Sequence, residues 1–407
     1  MISDSFIRAL PKTDLHVHLD GSIRIPTLIE LARSQGVDLP TWTPDGLTDL
    51  VFKKTYTSLV EYLAGFQYTV AVLQTAEALE RVAYELGVDN IEEGTRYVEV
   101  RFAPHLHMHD GLGFDDVLAA VTRGLDRARI EHEQSDAVRV NGEPPFRFGI
   151  IVCSLRRFDE SSSRWYGRLF QQFSDAPKKQ IYRMASLELA RSAVRCRDEL
   201  DMPIVAFDLA GQEHGYPARD HVEAYQYVHR HFLKKTVHAG EAYGPESIFE
   251  AITELHADRI GHGYHLFSPE LCGPKVASPD DYVGRLARYI ADRRITIEVC
   301  ITSNLQTNPA IGEVKNHHFG KMLGARLSAT LCTDNRLHSH TTVSNEIRLA
   351  VDAFGLDHHQ LRNTIIYGFK RSFFPGSYTD KRDYVRRVID HYDRVVREDE
   401  ESNRNRM

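Results

Sequence analysis

MASLELARSAVRCRDEL, residues 184–200, followed by Asp-Met-Pro and the apolar run IVAFDL (Ile204–Leu209), decides how the chain is built. The apolar residues of the first segment recur at helical spacing, and Pro203 stops that pattern just before a strand begins. A helix handing directly to a short β-branched and aromatic run is one unit of an α/β fold. Moving outward in both directions, the same unit recurs. Eight runs qualify as strands: Thr13–His18, Tyr97–Phe102, Arg147–Cys153, Ile204–Leu209, Lys235–His238, Arg259–Gly261, Thr296–Cys300 and Leu327–Cys332. Eight strands in this rhythm fit a closed (β/α)8 TIM barrel better than an open sheet.

Two stretches depart from a minimal barrel. Residues 19–96 separate the first two strands and contain TYTSLVEYLAGFQYTVAVLQ (Thr55–Gln74), an aromatic-rich helical segment. Helices inserted after a barrel strand sit at the catalytic rim, so this one is expected to form a lid over the site or to pack on the core. Glu131–Pro145 is polar and carries one Gly and two Pro, so it is expected to be a surface loop. Residues 1–396 are expected to form a single barrel domain. The charged tail 397–407, REDEESNRNRM, is expected to be disordered.

Composition narrows the function class. Fifty basic against fifty-seven acidic side chains leave a formal charge of −7, which argues against nucleic acid as a partner. The five cysteines are scattered without CxxC spacing, so neither a disulfide framework nor a thiolate metal site is expected. The N-terminus lacks the pattern of a secretory signal and no stretch reaches the length of a membrane span, so a cytoplasmic location is expected.

The chemistry concentrates at strand ends. His16 and His18 stand two apart on the first strand, and the two-residue period turns both imidazoles to one side. An H-x-H pair alone is a weak signal, because His105/His107, His107/His109, His229/His231 and His338/His340 repeat it. Its company lifts it. His238 and Glu241 follow the fifth strand in HAGE, His262 closes the sixth in RIGHG, and Asp334 lies just past the eighth. The C-terminal ends of barrel strands converge on one face, so these side chains are expected in one pocket. Imidazole nitrogen and carboxylate oxygen without thiolate suit a hydrolytic Zn²⁺ site, one ion per chain, with a position open for water.

TDLHVHLDGS (Thr13–Ser22), RYVEVRFAPHLH (Arg96–His107), DLAGQE (Asp208–Glu213), HAGE (His238–Glu241), RIGHG (Arg259–Gly263), EVCITSN (Glu298–Asn304) and TDN (Thr333–Asn335) together resemble the adenosine deaminase family, in the family's order, from about residue 10 to 395. The resemblance implies that His16, His18, His238 and Asp334 bind the zinc, with His18 also on the substrate side. It implies that His262 orients the attacking water and helps take its proton, and that Glu241 protonates the purine at N1. The backbone of Gly211 would meet N3 and Asp20 the ribose hydroxyls, while Leu59, Tyr62, Leu63 and Phe66 would form an apolar gate. Asn335 stands where many members carry an aspartate against N7; its amide can donate to that acceptor without a raised pKa. Gln212, Ile301 and Tyr62 also depart from the common residues, and none of these touches the metal set.

The implied reaction is hydrolytic deamination of adenosine or 2′-deoxyadenosine to the inosine compounds and ammonia. The runner-up keeps the chemistry on a different small-molecule purine, such as 6-aminodeoxyfutalosine or adenine. A barrel that binds nucleoside without turnover, or an amidohydrolase cleaving esters or amides, is the alternative of another class. The unrelated deaminase design with HxE and PCxxC is excluded: His221-Val222-Glu223 matches its first half, but no PCxxC exists.

Overall fold

The computed structural model describes residues 2–406. Its eight strands are β1 (Lys12–His18), β2 (Thr95–Phe102), β3 (Arg147–Leu155), β4 (Ile204–Ala210), β5 (Lys234–Ala239), β6 (Arg259–His262), β7 (Thr296–Val299) and β8 (Ala329–Leu331). They pair in sequence order, β1 to β8, and every pairing is parallel. The two ends of the sheet meet just past β8. There the His18 N–H donates to the Asp334 carbonyl and the Asp334 N–H to the His16 carbonyl, each at 2.7 Å. This is a (β/α)8 TIM barrel, as the alternation of apolar runs and helical patterns leads one to expect.

The strands are buried along nearly their whole length, because a parallel sheet is covered on both faces. Val98, Val100, Ile150, Val152, Leu209, Val237, Ile260, Ile297 and Val299 contribute to one large apolar core shared with the surrounding helices. The helix before β4 spans Lys178–Leu200 and buries Ala185, Leu189, Ala190, Ala193 and Val194, the apolar set visible in the sequence. It ends at Asp201, whose φ of 50° places it in the left-handed region and turns the chain toward β4.

Three segments differ from expectation in local detail. Thr55–Gln74 forms two short helices, Leu59–Ala64 and Phe66–Val72, that meet at Gly65. Glu131–Pro145 is only partly loop: the helix Phe114–Gln134 runs into it and a turn of helix follows at Asp136–Arg139. The segment expected to be disordered from Arg397 continues the terminal helix Tyr378–Arg406, and residue 407 lies outside the described residues. Glu and Arg are good helix formers, and a pairing such as Arg404–Glu400 at i,i+4 extends a helix already anchored on the core by Tyr384, Val388 and Tyr392. All five cysteines are free, and among the described residues no helix is long and apolar enough to cross a membrane.

Candidate metal centre and active site

The strand ends deliver the chemistry to one place. His18 closes β1, His238 is the penultimate residue of β5, His262 closes β6, and Asp334 follows β8 by three residues. His16, His18, His238 and Asp334 each offer a ligand atom, and these atoms lie within 4.8 Å of one another. The His18 Nε2 sits 3.2 Å from the His238 Nε2, and both His16 Nε2 and His18 Nε2 are 3.4 Å from Asp334 Oδ1.

The hydrogen bonds behind this cluster fit it to a cation. His16 Nδ1 lies 2.9 Å from Glu298 Oε2, and His238 Nδ1 lies 3.0 Å from Asp208 Oδ2. Both carboxylates can only accept, so each ring carries a proton on Nδ1, which leaves Nε2 facing inward as the atom available to a cation. The His16 Nε2 is fully buried and has no hydrogen-bond partner. Convergent lone pairs beside an ionised carboxylate are costly unless a cation joins them. Burial opposes ionisation of Asp334, yet the surrounding His16, His262 and His18 rings hold it well below the usual carboxylate range.

The two orienting carboxylates are themselves tied down inside the barrel. Arg101 donates to Asp208 and to Glu298, both at 2.9 Å, and Arg259 bridges Glu298 at 2.6 Å to Glu99 on the opposite side. All five side chains are buried. Burial works against the charge of Asp208, but His238 and Arg101 keep it well below the ordinary range. Substituting Asp208→Ala removes the acceptor that fixes the His238 tautomer, and a loss of about 10–100-fold in metal affinity is expected. Competition against a chelator measures this, and unchanged affinity would contradict the role.

Around the cluster opens a cavity of about 1130 Å³. Every residue expected at the site except His16 lines it, including Asp20, Gly211, Glu241, His262, Asn335 and the four gate residues. His16 is buried beneath and reaches the same centre through its ring. Leu59, Tyr62, Leu63 and Phe66 pack together with Tyr56 on one wall. Phe66 stacks on His338 at 4.4 Å between ring centroids, and Tyr62 shares a hydrogen bond with Ser339 at 3.2 Å.

Two backbone features fit the site to its contents. His262 and Asp334 both have φ of 62°, a conformation that non-glycine residues adopt at a cost and that clusters at functional sites. Asn335 is seated against Gly21, where an added Cβ would lie 1.8 Å from Asn335 Oδ1. That Oδ1 and Asp20 Oδ1 are buried without hydrogen-bond partners, so each retains capacity for a ligand. Burial pushes the Asp20 carboxyl up to about 7.

Glu241 stands 3.7 Å from His262 Nε2. Burial, then the charges of Asp334 and Glu213, push its carboxyl well above the usual range. Burial holds the His262 imidazole well below its usual range, and the neighbouring His16 adds to this. Burial thus favours the neutral forms of Glu241 and His262 beside a carboxylate whose charged form is favoured, the separation of roles that acid–base catalysis needs.

Some functional residues escape the sequence reading. Glu213 accepts from the backbone N–H groups of Gly240 at 2.7 Å, Glu241 at 3.1 Å and Ala242 at 2.7 Å, and from Ser247 Oγ, so it clamps the loop that carries Glu241. Ser303 Oγ donates to Asp334 Oδ2 at 2.7 Å. Asp208, Glu298 and Arg101 belong with them. The signal available was Glu99-Val100-Arg101: two charges on one face of a strand that must be buried on both faces.

Comparison with known proteins gives the family. The family model described as adenosine deaminase matches residues 11–177 and 178–391. An adenosine deaminase from Mycobacterium sp. (strain JLS) is 37% identical over 376 residues, covering 91% of this chain and 92% of the relative. Among solved structures, an N6-mAMP deaminase from Arabidopsis is 26% identical with a TM-score of 0.72, covering 95% of this chain and 99% of that one. An amidohydrolase from Burkholderia ambifaria with bound Zn shares the fold at a TM-score of 0.72 and 21% identity, over 97% of this chain and 93% of that one. With a family model spanning nearly the whole chain and a relative above one-third identity, this chain belongs to the adenosine deaminase family of purine deaminase hydrolases.

Proposed function

We propose that the chain catalyses zinc-dependent hydrolytic deamination of a 6-aminopurine nucleoside, adenosine or 2′-deoxyadenosine, to the inosine compound and ammonia. The observation that carries this reading is Glu241: a carboxyl whose burial favours the neutral form, 3.7 Å from His262, in a cavity whose floor is the three-imidazole and one-carboxylate cluster. His16, His18, His238 and Asp334 would hold one zinc ion. When bound there, zinc supplies water acidified to a pKa of about 7. Asp334 accepts a hydrogen bond from the attacking water, and His262 faces the same oxygen. Glu241 donates its proton to N1 as C6 becomes tetrahedral, which keeps charge from accumulating on the ring. The proton held by Asp334 then passes to N6, the C6–N6 bond breaks, ammonia leaves, and the C6 hydroxyl returns a proton to Glu241. Asp20, Asn335 and the Gly211 backbone supply polar contacts to the ribose, N7 and N3, and Leu59, Tyr62, Leu63 and Phe66 close over the apolar face.

A second reading keeps this chemistry and changes the group on N9. The cavity, at about 1130 Å³, is larger than the usual range for drug-sized ligands, and part of its wall is polar, with Arg157, Arg164 and Ser161–Ser163. Those side chains favour a purine with a larger polar substituent, such as 6-aminodeoxyfutalosine or a nucleotide. Amine release, ammonia from adenosine, 2′-deoxyadenosine, adenine and 6-aminodeoxyfutalosine and methylamine from N6-methyl-AMP, separates the readings. Highest kcat/KM on the nucleosides supports the first, and inactivity on every one of these compounds would sink both.

A further inference from the structure

A chain of hydrogen bonds behind His262 determines which of its ring nitrogens carries the proton. It begins at a group whose role is beyond dispute, the backbone N–H of Phe319, which donates to His317 Nδ1 at 3.0 Å. His317 is 2% exposed, and burial pushes its imidazole down to about 3, so the ring holds a single proton. With Nδ1 accepting, that proton sits on Nε2. The His317 Nε2 lies 3.1 Å from Asn304 Oδ1, which must therefore accept. The opposite orientation of the Asn304 amide would set an N–H against an N–H. Its NH₂ group then points at His262 Nδ1, 3.1 Å away, and donates to it. The lone pair of His262 Nδ1 is used, and the remaining ring proton belongs on Nε2.

The residues come from three successive loop regions. His262 closes β6, Asn304 lies in the helix Ile301–Thr307 directly after β7, and His317 precedes the helix Phe319–Gly324. Asn304 is 1% exposed and its N–H is held by the Cys300 carbonyl at 3.0 Å, while the His317 N–H is held by the Val314 carbonyl at 2.9 Å. Backbone and side chain are both fixed, so the relay has one arrangement that satisfies every donor and acceptor in it.

We infer that Asn304 and His317 are positioning residues that fix His262 as the Nε2–H tautomer, so that it presents a hydrogen-bond donor, not a proton acceptor, to the attacking oxygen. This rests on the reading in which His262 faces the nucleophile. The division of labour follows. Asp334, an ionised carboxylate with no proton of its own, takes the proton of the attacking water. His262 holds the oxygen by its N–H and stabilises the charge that gathers there as the bond to C6 forms. Glu241 serves the ring nitrogen alone.

The test is the tautomer itself, read in the zinc-loaded protein carrying ¹⁵N-histidine, by long-range ¹H–¹⁵N correlation, with the His262 signals assigned by difference against His262→Gln. The wild-type protein should show His262 Nδ1 as the bare nitrogen and Nε2 as the protonated one. In Asn304→Asp the carboxylate can only accept, so the proton moves to Nδ1. Then kcat should fall by about 10²-fold or more, the loss typical of removing one oxyanion donor, with KM and zinc content near wild type. His317→Gln, which restores an N–H toward Asn304 Oδ1, should recover the tautomer that His317→Leu loses. A wild-type His262 protonated on Nδ1 overturns the proposal. So does Asn304→Asp with both tautomer and kcat unchanged. The spectrum requires no substrate, so inactivity on every purine would remove the proposed reaction and leave the tautomer assignment to stand or fall by itself.

Discussion

Glu241→Gln should lower kcat by about 10²–10⁴-fold while zinc content and ligand binding stay close to wild type, the range expected when a general acid is removed. Gln matches Glu in shape and can still donate an N–H to N1, so the bound purine keeps its contact. What Gln cannot do is give the proton away. The substitution therefore removes stabilisation made only as the transition state forms, and the loss should appear in kcat and kcat/KM together. The loop itself should survive, because Glu213 holds the backbone N–H groups of residues 240–242 and not the Glu241 side chain. Steady-state kinetics with metal analysis on the same sample checks this. Unchanged turnover would remove Glu241 as the proton donor.

The second large effect is expected at Asp334. Asp334→Ala deletes the only carboxylate of the four-residue cluster and the acceptor of the Ser303 hydroxyl. Three imidazoles remain, uncharged, and the charge of a bound cation is no longer balanced by a negative ligand. Metal affinity should fall more than the 10–100-fold seen for residues that merely orient a ligand. Deamination should disappear at any zinc concentration, since the proton acceptor for the attacking water goes with the ligand. Dialysis followed by metal analysis measures the first loss, and an assay in excess zinc isolates the second. Full zinc retention would count against Asp334 as a ligand, and activity restored by zinc would count against it as the base.

Much of this site is legible in the sequence because a barrel places its chemistry at strand ends, where a few adjacent residues carry it. His16 and His18, HAGE and RIGHG each combine a strand with the turn that follows, so spacing alone indicates which side chains face the rim. The supports are less legible. Asp208, Glu298, Arg101 and Arg259 lie far apart in sequence and meet only inside the barrel, and a charged residue in an apolar strand gives no sign of its partner. Asn304 and His317 are harder still, because their meaning depends on hydrogen-bond direction across three loops. Secondary structure fails for local reasons. A solvated helix and a polar loop have similar composition, which hides the end of Phe114–Gln134 and the final turns of Tyr378–Arg406. The break in the Thr55–Gln74 segment at Gly65 is tertiary: a Cβ there would lie 2.8 Å from His338 Nε2, so the packing of His338 and not the helical pattern sets the boundary.

The proposed deamination depends most on a single ion held by His16, His18, His238 and Asp334 and required for loss of the C6 amino group. Titrating metal-stripped protein with zinc while following ammonia release from adenosine measures both at once. The predicted curve rises in proportion to added zinc and breaks at one equivalent per chain. Full activity in the stripped protein, or a curve with no dependence on zinc, would contradict it.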